Sequence, residues 1–129
     1  MARKIHKVKK YVLIVDDEPA VRRTVRSALE SAGYECAESE NGAAALAWLE
    51  ENKADVLIAD YHMPVLSGLK LLERFRSKMN GRATPVIMLS GLLKEKDKQK
   101  ARDLGVYAIV DKPCNFRELV TTVGEAIES

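Results

Sequence analysis

Apolar runs alternate with helix-spaced apolar positions five times along this chain. Tyr11-Val12-Leu13-Ile14-Val15 is a continuous apolar run stopping at Asp16-Asp17, which predicts a buried strand. Glu18-Pro19 then opens a helix, because proline suits the first helical turn. Val21, Val25, Leu29 and Ala32 give that helix one apolar stripe, and Gly33 ends it. Tyr34-Glu35-Cys36-Ala37-Glu38 predicts a second strand, polar enough to lie at an edge. Asn41-Gly42 turns into a helix from Ala43 to about Glu51, carrying Leu46, Trp48 and Leu49. Asp55-Val56-Leu57-Ile58-Ala59 is the third strand and ends at Asp60.

Pro64 and Gly68 break the chain before a third helix, with Leu69, Leu72, Phe75 and Met79 on its inner face. Thr84-Pro85-Val86-Ile87-Met88-Leu89 is the fourth strand and ends at Ser90. From Lys94 to Asp103 the chain is charged on most faces, with Leu92, Leu93, Ala101 and Leu104 as its apolar anchors. That pattern predicts a solvated helix. Tyr107-Ala108-Ile109-Val110 is the fifth strand and stops at Asp111-Lys112-Pro113. Phe116, Leu119, Val120, Val123 and Ile127 mark a final amphipathic helix. Strands this apolar, separated by helices, predict an α/β fold with a parallel sheet covered on both faces.

Composition narrows the picture. At 129 residues the chain is one domain's worth, with 47% apolar and 31% charged residues, as in ordinary globular proteins. No apolar run is long enough to span a bilayer, and no signal-peptide core follows the N-terminus, so a cytoplasmic location without membrane contact is expected. Net charge is +2, and Arg3, Lys4, Lys7, Lys9 and Lys10 concentrate positive charge at one end. Residues 1–9 therefore read as a basic, partly disordered leader, and 10–129 as a single domain. The leader is the only basic cluster and no recognition helix follows, so direct nucleic-acid binding is not expected. Cys36 and Cys114 have no metal-ligand spacing. Cys36 reads as a small core residue, and no disulfide is expected.

The chemistry sits at the strand ends. Asp16-Asp17, Asp60, Ser90 and Lys112 each close an apolar run. In an open parallel sheet these ends share the edge where ligands bind. Three carboxylates would repel one another there, and a hard divalent cation would relieve the repulsion. Ser90-Gly91 offers a hydroxyl and backbone N–H groups to phosphate oxygens. Lys112 offers a flexible point charge, and Lys112-Pro113 is a candidate cis peptide. Each feature alone is commonplace: an acidic helix start, a turn, a loop, a surface lysine. Their order on strands one, three, four and five is what carries weight.

Four stretches in that order resemble the receiver domain of bacterial two-component response regulators. They are Val12-Leu13-Ile14-Val15-Asp16-Asp17-Glu18-Pro19, Asp60-Tyr61-His62-Met63-Pro64 with Gly68, Pro85-Val86-Ile87-Met88-Leu89-Ser90-Gly91, and Asp111-Lys112-Pro113. The resemblance runs from about Lys10 to the C-terminus. It implies a single flavodoxin-like domain, with a five-stranded parallel sheet in order 2-1-3-4-5 and five helices. It also implies that Asp60 accepts a phosphoryl group from a sensor histidine kinase or a histidine phosphotransfer protein. Asp17 would ligate Mg²⁺ or Mn²⁺ directly and Asp16 through water, with Asp60 and the backbone carbonyl of His62 completing the protein ligands. Ser90, Gly91 and Lys112 would contact the phosphoryl oxygens. The face of the last two helices and fifth strand would bind an output protein or a second copy. By this resemblance the domain assists only its own phosphorylation and hydrolysis, and is not a turnover enzyme.

Two positions depart from the family pattern. Ile109 stands three before the lysine, where an aromatic residue usually reorients on activation, so output would rest on backbone shifts around Ser90 to Asp103. Cys114 stands where an aromatic often follows the Lys-Pro pair. Apolar Leu92 and His62, at the pocket entrance, are expected to tune how water reaches the phosphate. Two competing readings follow: a phosphorylation-independent pseudo-receiver, favoured by Ile109, and a small Mg²⁺-dependent phosphatase with an aspartyl nucleophile. The second is disfavoured, because such hydrolases need an acid where His62 stands and a cap domain this length does not supply.

Overall fold

A computed structural model describes residues 9–78 and 84–129. Met79, expected on the third helix, and residues 1–8 of the expected leader lie outside these. Five strands alternate with five helices: β1 (Tyr11–Val15), α1 (Pro19–Ser31), β2 (Glu35–Ser39), α2 (Gly42–Glu51), β3 (Val56–Asp60), α3 (Gly68–Lys78), β4 (Val86–Ser90), α4 (Glu95–Asp103), β5 (Ala108–Asp111) and α5 (Phe116–Glu128). All pairings are parallel and the order is β2-β1-β3-β4-β5. This is the flavodoxin-like order anticipated above. The polar second strand takes an edge, and so does the fifth.

The apolar runs behave as buried strands must. Every residue of β3 and β4 is buried, as are Val12 to Val15 of β1. Alternate side chains leave the sheet on opposite faces and feed two cores. Leu13, Val15, Leu57, Ala59, Val86 and Met88 pack with Leu49, Leu71, Leu72 and Phe75 of α2 and α3. Val12, Ile14, Val56, Ile58, Ile87 and Leu89 pack with Val25 and Leu29 of α1 and Leu119 and Val123 of α5. Asn41 caps α2 by accepting the Ala44 N–H, and Asn115 caps α5 by accepting the Arg117 and Glu118 N–H groups.

Local deviations have local causes. Ala32, expected on the α1 stripe, is instead the exposed cap of that helix, and Gly33 takes φ +97, which favours glycine. Tyr107, expected inside the fifth strand, precedes it and is 39% exposed. Helix α4 buries only Ala101. Its solvated character was legible from its charge pattern. Arg76 fastens α3 to this side of the sheet by donating to the carbonyls of Thr84, Leu104 and Gly105.

Candidate phosphoacceptor site

Register brings the strand-end residues together. Val15 pairs with Ala59, so Asp16 and Asp60 leave adjacent strands side by side. Asp60 itself pairs with Leu89, the residue before Ser90, and Ser90 pairs with Asp111, the residue before Lys112. Lys112 N–H donates to the Ser90 carbonyl at 2.8 Å, which continues the ladder one step past β5. The Lys112-Pro113 peptide is cis. From the edge strand the lysine stem extends over β4, at about 4.8 Å per strand gap, and the Asp60 and Asp16 side chains reach toward it from β3 and β1 to close the remaining distance. Its Nζ lies 3.1 Å from Asp16 Oδ2 and 3.3 Å from Asp60 Oδ1.

Burial makes these contacts count. Asp16, Asp60 and Ser90 are 1%, 3% and 1% exposed, although all three carry polar side chains. Charges this far from water require partners. Asp16 has Lys112 on Oδ2 and the Glu18 N–H on Oδ1. Asp60 has Lys112 and the His62 N–H, both on Oδ1. Burial first, then the Asp16 carboxylate, pushes the Asp60 carboxyl above its ordinary range, against the pull of Lys112. Burial would lower the pKa of Lys112, but the Asp16 hydrogen bond and the Asp60 charge outweigh it and raise the value. One ammonium thus holds its charge between two carboxylates that compete for it.

Ser90 Oγ has no hydrogen-bond partner, alone among the buried side-chain polar atoms of the described residues. Such an orphan is unusual in a core and leaves a buried hydroxyl free to take a ligand. Carboxylate oxygens of Asp16, Asp17 and Glu18 lie within 4.8 Å of one another. This all-oxygen donor set fits a hard divalent cation. Asp60 stands outside that close group and reaches it through Lys112. The His62 ring places Nε2 3.4 Å from the Leu92 carbonyl oxygen. Gly91 is exposed beside Ser90, and Leu92 is 90% exposed at the rim.

Some participants were not legible in the sequence. Glu18 reads as a helix start, yet its carboxylate joins the acidic cluster. Gly68 reads as a breaker, yet it lies so close to the site that a Cβ there would sit 2.5 Å from the Asp60 carbonyl oxygen. Arg22 donates to the Asp16 carbonyl, a contact no local pattern announces. Cys114 lines an apolar cavity of about 340 Å³ with Val21, Leu89 and Phe116, beside Lys112. Burial raises its thiol pKa, and that of buried Cys36 to about 11, so both are poor nucleophiles at neutral pH.

The response regulator receiver domain model matches residues 12–124. The chain belongs to this family. It is 38% identical over 88% of its length to the phosphate regulon transcriptional regulatory protein PhoB of Pseudomonas aeruginosa, of which it covers 49%. It is 35% identical over 87% of its length to the transcriptional regulatory protein ResD of Bacillus subtilis, of which it covers 45%. The receiver domain therefore spans about half the length of these curated relatives. The Vibrio cholerae chemotaxis protein CheY4 superposes with a TM-score of 0.86 at 31% identity, over 92% of this chain and 99% of that one. The receiver is a signalling domain of two-component systems. Among its described residues no helix is long and apolar enough to cross a membrane.

Proposed function

We propose that this receiver accepts a phosphoryl group on Asp60 from a phosphohistidine, in a reaction that requires Mg²⁺. The observation that carries the reading is the buried set of Asp16, Asp60 and Lys112 next to the orphaned Ser90 hydroxyl. Both contacts to Asp60 fall on Oδ1, which leaves Oδ2 to attack phosphorus. The N–P bond of the donor breaks as the O–P bond of an acyl phosphate forms, and the imidazole leaves. Lys112 neutralises charge on the transferred oxygens, and Ser90 Oγ gains the partner it lacks. Asp16 and Asp17, with Asp60 and the His62 carbonyl, would hold the cation, and Glu18 stands within reach of it. When bound, Mg²⁺ supplies further neutralisation of the phosphoryl oxygens. The partners are a sensor histidine kinase or a phosphotransfer protein, and an output protein or second copy on the face of α4, β5 and α5.

Ile109 packs against the core cluster that includes Leu72, Phe75 and Ala101, where it offers no hydroxyl to reorient. Signal therefore leaves through the backbone between Ser90 and Asp103, where α4 is held by a single buried side chain. Incubation with Mg²⁺ and a small acyl-phosphate donor, followed by intact mass measurement, tests the reading. Wild type gains one phosphoryl group and Asp60→Asn gains none. An unmodified wild type would leave a phosphorylation-independent interaction module instead.

A further inference from the structure

We infer that Arg22 is a positioning residue for the divalent-cation site, braced from behind by Glu38. This rests on the reading of the acidic cluster given above. Asp17 is exposed, and among the described residues no hydrogen bond or ion pair holds its carboxylate, so where it can reach is limited by the backbone that carries it. The peptide between Asp16 and Asp17 is a rigid plane, so whatever holds its carbonyl also places the Asp17 Cα from which that side chain springs. Arg22 Nη1 donates to that carbonyl, the Asp16 oxygen, at 2.6 Å. The Glu18 N–H donating to Asp16 Oδ1 at 2.9 Å pins the following turn.

Arg22 is itself held. Its Nε lies 3.0 Å from Glu38 Oε1, and its side chain is only 14% exposed. Arg26 takes the other oxygen of Glu38 at 2.9 Å and pairs with Glu30 at 3.1 Å. A guanidinium whose planar fork bonds a carbonyl on one side and a carboxylate on the other cannot swing without breaking both. The brace ties α1 to the edge strand β2 and ends on the acidic turn. It places a positive charge behind a site that must attract a cation. By Coulomb interaction alone that charge weakens cation binding, so removing it should strengthen binding. Positioning makes the opposite prediction, since outer partners that orient metal ligands affect affinity about tenfold or more.

The two signs separate the ideas. Mg²⁺ titration by calorimetry, with melting temperature read against Mg²⁺ concentration, should show Arg22→Ala binding Mg²⁺ about tenfold more weakly than wild type. Glu38→Gln should show a smaller loss in the same direction. The double variant should be no worse than Arg22→Ala, because Glu38 acts through Arg22. Phosphoryl uptake by Arg22→Ala should recover at saturating Mg²⁺, which a general loss of structure would not allow. If wild type binds Mg²⁺ and Arg22→Ala binds it equally or more tightly, the inference is overturned while the reading of the site stands. If wild type binds no Mg²⁺, both fall. Should Arg22→Ala not fold, Glu38→Gln decides by the same criterion.

Discussion

Strand β3 ends on a residue of the site and β5 ends one residue before another, yet they are built differently. Every residue of β3 is buried, between strands on both sides and helices on both faces. In β5, at the sheet edge, three residues are partly buried and Asp111 is exposed. The helix before β5 buries one side chain, whereas α1 and α5 each present a stripe to the core. Asp60 thus rises from a fully buried strand, and Lys112 reaches in from just past the least buried one. A phosphoacceptor needs fixed geometry for transfer, while a switch needs an element with little to lose on moving. Under the proposed function, the sheet provides both by placing one at its centre and the other at its rim.

Truncation tests that contrast most strongly. Leu57→Ala in β3 should cost about 2–5 kcal/mol, and Ile109→Ala in β5 roughly half as much, read from denaturant midpoints. Equal costs would break the comparison. Gly68→Ala presses a methyl group against the Asp60 carbonyl and should cost about 1–3 kcal/mol, with slowed phosphoryl uptake. A variant of Gly91, whose surroundings are open, should lose little stability.

Charge gives a third test. The folded protein raises the Asp60 pKa, so its carboxylate is less favoured folded than unfolded. Stability therefore falls as pH climbs from the ordinary carboxyl range through the folded value. Metal-free Asp60→Asn should melt above wild type at neutral pH, with the gap closing at acid pH. A gap independent of pH would exclude this cause.

The rim should affect lifetime more than stability. Leu92→Glu should shorten the phosphorylated lifetime several-fold by admitting water past His62, while leaving the melting temperature nearly unchanged. An unaltered decay rate would remove Leu92 from the account. The smallest effect is at Val65, which holds φ 68 with its side chain in solvent. A branched residue is strained there, and Val65→Asn should add about 0.5–1 kcal/mol. No gain would mean that the turn tolerates valine.

The strand-end acids, hydroxyl and lysine were legible because each interrupts an apolar run, and an interruption needs no partner to be seen. Within the described residues the helical stripes were legible for the same reason, apart from Ala32, where the helix stops a residue short of the pattern. Arg22 and Glu18 were not legible as site residues. An exposed-looking charge on a helix announces nothing until the strand beside it is known.

By itself, the order of apolar runs and breakers determined the α/β class, the elements and which polar residues share an edge, because burial periodicity is local. Only the tertiary structure decided that Lys112 bridges Asp16 and Asp60, and that Arg22 donates to the Asp16 carbonyl. Those facts depend on register between strands distant in the chain. A side chain's partner across a sheet is set by that register and not by its neighbours in sequence.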